Sequence, residues 1–175
     1  MRKLILFIVF LLFGCTSHND IYAQHQGEGF TIYLVRHSEK ESSSTHDSDP
    51  SLTDCGKQRS EHLNQFLKDV SLEAVYSTNY NRTISTARPT ADFKNLDLVK
   101  YNPRKLLEFS KDLLDKKQDA LVVGHSNTTG VLAGLLAGQE IGPFDLDIYN
   151  RIYRVTIHNN SAELQLLHSS FVCED

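Results

Sequence analysis

Three scarcities bound what this chain of 175 residues can be. Its three cysteines include no Cys-x-x-Cys pair, so the thiols carry no zinc signature. It has no basic excess: 18 Lys and Arg stand against 22 Asp and Glu, for a net charge of −4. A nucleic-acid partner would call for a basic patch or stripe, and none is readable. The apolar run near the start extends only from Leu4 to Phe13, well short of the roughly 20 residues a spanning helix requires. Internal repeats are absent, and the serine run at 42–44 is the only biased stretch. Cys55 and Cys173 are far apart in sequence, which leaves their pairing open. Two unpaired, partly buried thiols are the expectation.

The first residues are a basic start, Arg2 and Lys3, followed by the short apolar core. That order reads as an export signal. Leu12-Phe13-Gly14-Cys15 resembles a bacterial lipobox, in which Cys15 becomes the lipidated first residue and ties the protein to a membrane. Tyr22-Ala23-Gln24 is an alternative cleavage site, set apart from the apolar core by the polar stretch 16–20. The lipoprotein reading is preferred. It gives an export signal over 1–14, a polar tether over 15–28 and one domain over 29–175, outside the cytoplasm. What remains after cleavage is long enough for a sizeable core.

Within the domain, strand and helix patterns alternate. FTIYLVR, 30–36, is rich in β-branched and aromatic residues and reads as a buried strand. A polar loop with a proline follows over 41–51. A helix then starts near Thr53 or Asp54, with Leu63, Phe66, Leu67 and Val70 on one stripe. EAVYS, 73–77, is a short strand. Residues 81–93 look helical despite Pro89, which is expected to bend or interrupt them. LDLVKY is a strand. PRKLLEFSKDLLDKK opens on a proline suited to a helix start and carries Leu106, Leu107, Phe109, Leu113 and Leu114 as its apolar face. DALVVG is a strand, NTTGVLAGLLAG a helix, and residues 151–171 a hairpin around Asn159-Asn160. The pattern predicts an α/β fold: a mostly parallel central sheet, helices on both faces, and a C-terminal antiparallel hairpin. Ligands in such sheets bind beyond the carboxyl ends of the strands.

Three of those ends are chemically unusual. One strand runs into Arg36-His37, a second into Tyr76-Ser77-Thr78 with Arg82 just beyond, and a third into Gly124-His125-Ser126. In a parallel sheet two arginines and two histidines converge on one crevice. Guanidinium groups bind phosphate in a planar, bidentate way. A neutral imidazole nitrogen can attack phosphorus. A second, protonated imidazole can stabilise the charge that develops on phosphoryl oxygens, and a helix start after Ser126 adds backbone N–H groups. Taken singly, each of these residues is more simply a loop or surface group. The remaining histidines, His18, His25, His46, His62, His158 and His168, lack such a setting. Glu39 and Lys40 read as a local loop ion pair.

Four segments in order resemble the histidine phosphatase superfamily, also called phosphoglycerate mutase-like: LVRHSEK, LTDCG (52–56), YSTNYNRTISTA (76–87) and VVGHSNTTG. Ser38 stands where many members have Gly. The resemblance implies a three-layer α/β sandwich, no metal cofactor, and a phosphorylated small molecule or phosphoprotein as substrate. It makes His37 the nucleophile that becomes phosphohistidine, Arg36 and Arg82 the phosphoryl clamp, and His125 the second imidazole. Ser126 and Asn127 add polar contacts to substrate. The short chain is closest to the compact branch of small bacterial phosphohistidine phosphatases. The general acid that many members carry has no evident owner: Asp92, Asp97 and Glu108 lie in the relevant segment, none within a motif.

Two rival readings remain open at the level of sequence. Ser126 is a candidate hydrolase nucleophile, with Asp145 or Asp147 and His158 or His168 as formal partners. The second Gly of a G-x-S-x-G elbow is missing, and the Arg36-His37 and Arg82 pattern is left unexplained. Alternatively, the domain binds phosphate or another ligand without turning it over.

Overall fold

The computed structural model describes residues 29–42, 48–159 and 161–173. The export signal, Cys15, the tether, His46 and Asn160 lie outside the described residues. Among those described, no helix is long and apolar enough to cross a membrane.

Six strands of the described residues form one sheet: β1 (Phe30–Arg36), β2 (Ala74–Ser77), β3 (Leu98–Lys100), β4 (Ala120–Gly124), β5 (Arg151–His158) and β6 (Ser161–His168). Their spatial order is β3-β2-β4-β1-β5-β6. The β3–β2, β2–β4 and β4–β1 pairs are parallel, and β1–β5 and β5–β6 are antiparallel. The expected mostly parallel sheet with a closing hairpin is what forms. β1 and β4 are buried along nearly their whole length because both faces are covered, which is why they read as continuous apolar runs.

Among the described residues four helices cover the two faces: α1 (Asp54–Leu67), α2 (Asn81–Lys94), α3 (Leu106–Lys116) and α4 (Thr129–Ala137). Leu63 and Leu67 of α1 and Ala87 and Ala91 of α2 pack with Tyr33, Val35, Val75, Leu121 and Val123. On the opposite face Phe109 and Leu113 of α3 and Leu132, Ala133 and Leu136 of α4 pack with Ile32, Leu34, Tyr76 and Val122. Successive strand residues thus feed alternate cores, as the pleat requires.

The structure corrects several local expectations. Helix α2 runs unbroken through Pro89; the packing of Ala87 and Ala91 on the sheet outweighs the one backbone hydrogen bond a proline removes. Helix α3 begins at Leu106, so Pro103 lies before it rather than in its first turn. Phe66 and Leu107, assigned to apolar stripes, are solvent-exposed.

Cys55 and Cys173 are not free thiols. They form a disulfide across a separation of 118 residues, with Cα atoms 5.5 Å apart. Cys55 stands in the first turn of α1, and the chain after β6 passes alongside. Arg59 of α1 donates to the Phe171 carbonyl at 3.1 Å and lies over the Phe171 ring. Sequence distance concealed this proximity, which only the return of the C-terminal strands creates.

Candidate active site

Register fixes the site. β1 and β4 are parallel with Arg36 beside Gly124, and β2 and β4 with Ser77 beside Val123. Three strands therefore end at one level, and the residues after them share a crevice. The His37 N–H donates to the Gly124 carbonyl at 3.0 Å, which joins the first and third ends directly. Arg36, His37, Arg82, His125, Ser126 and Asn127 line one pocket of about 370 Å³, within the range of small-molecule sites.

His37 is almost fully buried. Its Nδ1 lies 2.8 Å from the Ser38 carbonyl oxygen, which can only accept. The proton therefore resides on Nδ1, and Nε2 keeps a free lone pair. Burial is the main reason the His37 pKa is lowered to about 3, with Arg36, His125 and Arg82 adding to it against the Ser38 hydrogen bond. The ring stays neutral in the range where a nucleophile must be unprotonated.

Ser38, at the position where many relatives have Gly, points away from the crevice. Its Oγ meets Ser60 Oγ of α1 at 3.2 Å, and Ser60 in turn donates to the Gly56 carbonyl at 2.8 Å. Its N–H donates to Thr86 Oγ1 of α2. The extra hydroxyl thus ties the His37 loop to α1, while the backbone N–H ties it to α2.

His125 stands 5.6 Å from His37, centroid to centroid, with the rings steeply inclined. Its Nε2 lies 3.0 Å from Thr78 Oγ1, which is 2.8 Å from Thr83 Oγ1. The Thr83 hydroxyl proton faces two carbonyls, those of Thr78 and Tyr80. Thr78 then donates to Thr83 and accepts from His125 Nε2–H, so the free lone pair of His125 is on Nδ1. Burial, followed by Arg82 and Arg36, lowers the His125 pKa to about 4. The expectation of a protonated second imidazole therefore does not describe the free protein at neutral pH, where both rings are neutral.

The two arginines are held differently. Arg36 Nη1 donates to the Leu146 and Ile148 carbonyls at 2.6 and 3.1 Å, Nη2 reaches Tyr149 Oη at 3.3 Å, and the guanidinium lies 4.0 Å over the Tyr149 ring. The segment after α4 therefore secures it. Arg82 lies 4.4 Å over the Tyr80 ring and donates to Asp49 at 3.2 Å. In both, Nε is buried without a hydrogen-bond partner, so neither guanidinium has spent all its donors within the protein.

Other expectations fare less well. The Thr128 and Thr129 amides, at the start of α4, donate to the His125 carbonyl at 3.0 and 2.9 Å; they fix the turn and are not free for a ligand. Glu39 does not pair with Lys40. Arg59 of α1 holds it, with its shortest contact at 2.6 Å, and Lys40 lines the pocket. Glu39, Cys55 and Cys173 lie close together, but both sulfurs are spent in the disulfide. Asp92 pairs with Arg88 and Glu108 with Lys105, and neither lines the crevice. Sequence reasoning missed Tyr80, Arg104 and Leu146 around the pocket, Asp49 against Arg82 and Tyr149 beneath Arg36. Only Tyr80, two residues after Thr78, stands beside a strand end that carries a recognisable pattern.

The model of the histidine phosphatase superfamily (branch 1) matches residues 32–107. Over that segment the chain is similar to the superfamily. No curated protein matches it. Among solved structures it is similar to the protein histidine phosphatase SixA complexed with tungstate, at 20% identity and a TM-score of 0.66, over 79% of this chain and 97% of that one. It is also similar to the alpha-ribazole phosphatase from Shigella flexneri, at 18% identity and a TM-score of 0.63, over 83% and 100%. A third is the mycobacterial glucosyl-3-phosphoglycerate phosphatase, at 9% identity and a TM-score of 0.67, over 81% and 100%. At these identities the likeness is one of fold.

Proposed function

We propose that the protein is a phosphatase that works through a phosphohistidine on His37, without a metal, on a phosphomonoester or phosphohistidine substrate. The observation that carries this reading is the Nδ1–H bond from His37 to the Ser38 carbonyl, which leaves Nε2 unprotonated in a pocket shared with two arginines. Nε2 attacks phosphorus, the bond from phosphorus to the leaving oxygen or nitrogen breaks, and the leaving atom departs with the electron pair and takes up a proton. Water then attacks the phosphohistidine, inorganic phosphate leaves, and Nε2 is restored. Arg36 and Arg82 carry the charge of the phosphoryl oxygens. An arriving dianion raises the His125 pKa, so that Nδ1 takes up a proton and becomes a donor to the same oxygens.

Two further parts belong to the proposal. The protein is exported and tethered by a lipid on Cys15. The Cys55–Cys173 disulfide supports export, because such bonds persist in oxidising compartments. Cys15→Ser should move the protein from membrane to soluble fractions.

The test of the chemistry is direct. An aryl phosphate, quenched during turnover, should leave an acid-labile phosphoryl group on His37. His37→Ala should abolish both adduct and turnover, and Ser126→Ala should retain both. Loss of turnover in the serine variant with retention in the histidine variant would overturn the reading. The structure gives a serine mechanism little support, since no hydrogen bond joins Ser126 to an imidazole among the described residues, and His158 lies at the opposite end of the sheet. Phosphate binding with no turnover of any ester from pH 5 to 8 would make the domain a binding module.

A further inference from the structure

Helix α2 starts without a cap of its own. Tyr80 at the N-cap makes no side-chain hydrogen bond, and the first turn has no acidic residue. The carboxylate that serves this helix end arrives from 32 residues upstream. Both oxygens of Asp49 accept from the Asn81 N–H at 2.9 Å, and the Asn81 side-chain amide reaches the Asp49 carbonyl at 3.5 Å. One of the same oxygens accepts from Arg82 Nη1 at 3.2 Å, in a pair largely withdrawn from water. Tyr80 supports the other side of Arg82. The guanidinium is thus fixed between an aromatic face and a carboxylate that is itself fixed to the helix start.

An acidic group this close to a phosphoryl site is a cost, because it repels the ligand. Two roles could offset that cost: donating a proton to the leaving group or orienting the clamp. Donation requires a place in the pocket where the leaving group sits. Asp49 does not line that pocket; its carboxylate is bound to the Asn81 N–H and to Arg82 behind it.

We propose that Asp49 is a positioning residue for the phosphoryl clamp, fixing Arg82 at the head of α2 and taking no part in proton transfer. The inference rests on the phosphatase reading above. It also accounts for how the end of β2 and the loop before α1 come to share one site: the loop supplies the cap that the helix lacks.

A double-mutant cycle on the full-length protein tests it, with Asp49→Ala, Arg82→Ala and the pair together, and Asp49→Asn as the conservative variant. Turnover is followed with p-nitrophenyl phosphate and with phenyl phosphate, whose leaving group is poorer. Asp49→Ala should lower kcat/KM by about 10- to 100-fold, the scale at which misplacement of a clamp is felt. The factor should be equal for the two esters. In the Arg82→Ala background the further loss should be less than about 2-fold, because the residue acts through Arg82. Asp49→Asn keeps an oxygen for both donors and should restore most of the activity. A loss several-fold greater with phenyl phosphate would make Asp49 a proton donor and overturn the proposal. So would an equal loss in both backgrounds. The same cycle is to be read from inorganic phosphate binding by calorimetry, where the same non-additivity is expected and strict additivity overturns it. Binding keeps the two readings apart: coupling in phosphate binding without turnover of any ester would sustain the role of Asp49 and overturn the phosphatase.

Discussion

At the scale of single residues, the site depends on neutral imidazoles surrounded by fixed cations. This has a consequence for stability. In the unfolded chain, histidines take up protons near pH 6.5. In the folded protein, His37 does so only at about 3 and His125 at about 4, burial being the first cause in each. As the pH falls below 6.5 the unfolded chain binds protons that the folded one refuses, so stability must fall. Thermal unfolding followed from pH 7 to pH 4 should show a declining Tm, and His37→Asn should flatten the decline. Inorganic phosphate should flatten it too, by supplying the negative charge that makes protonated imidazoles tolerable. Parallel wild-type and His37→Asn curves would show that His37 titrates normally. Thr78→Val tests the second ring. It removes the acceptor of His125 Nε2–H and leaves a half-buried donor unsatisfied, a loss of about 1–3 kcal/mol in site integrity. Turnover should drop by about 10-fold or more, with α2 and the sheet intact by circular dichroism.

Secondary-structure elements carry the next level of constraint, and the closest one is between α1 and the loop after β1. Gly56, in the first turn of α1, packs directly against the Glu39 backbone, so an added Cβ would sit inside the contact radius of the Glu39 carbonyl oxygen. Backbone cannot yield as a side-chain end can. Gly56→Ala should therefore destabilise the protein by about 1–3 kcal/mol and lower turnover as well, since Glu39 is two residues from His37. A denaturant titration beside a kcat/KM measurement checks both; a stable, fully active variant would mean that the loop shifts freely. This contact also shows what was legible in the sequence. The Leu-Thr-x-x-Gly segment was visible, and so was the alternation of strands and helices, because periodicity and strand-end chemistry are local signals. Arg36, His37, Arg82 and His125 could be gathered because parallel strands bring their ends together. Asp49 and Tyr149 could not be placed, since each belongs to a loop whose position follows from packing. Glu39 was assigned to the adjacent Lys40, whereas its partner is Arg59, 20 residues on, brought near by the turn into α1.

For the whole molecule, the long-range tie is the disulfide. It closes a loop of 118 residues that contains both helical layers and five complete strands. On the chain-entropy account, a cross-link over such a span removes much of the freedom of the unfolded state, and removing one of this kind typically costs about 2–5 kcal/mol. The same tie holds the segment after β6 against α1, where the Phe171 carbonyl and ring secure Arg59, and Arg59 in turn grips Glu39. One bond thus bears on global stability and on the loop that carries His37. Cys173→Ser should lower the midpoint of denaturant unfolding by an amount equivalent to about 2–5 kcal/mol. Reductant should shift the wild type to the same midpoint and leave the Cys55→Ser/Cys173→Ser double variant unmoved. Turnover at low temperature, where all forms are folded, separates the two effects. If the tail supports the site through Arg59, the reduced protein should lose activity that its lower stability alone cannot explain, and Arg59→Ala should reproduce that loss with the disulfide intact. Full activity of the reduced, folded protein would confine the bond to stability, because Arg59 would then hold Glu39 without the tail.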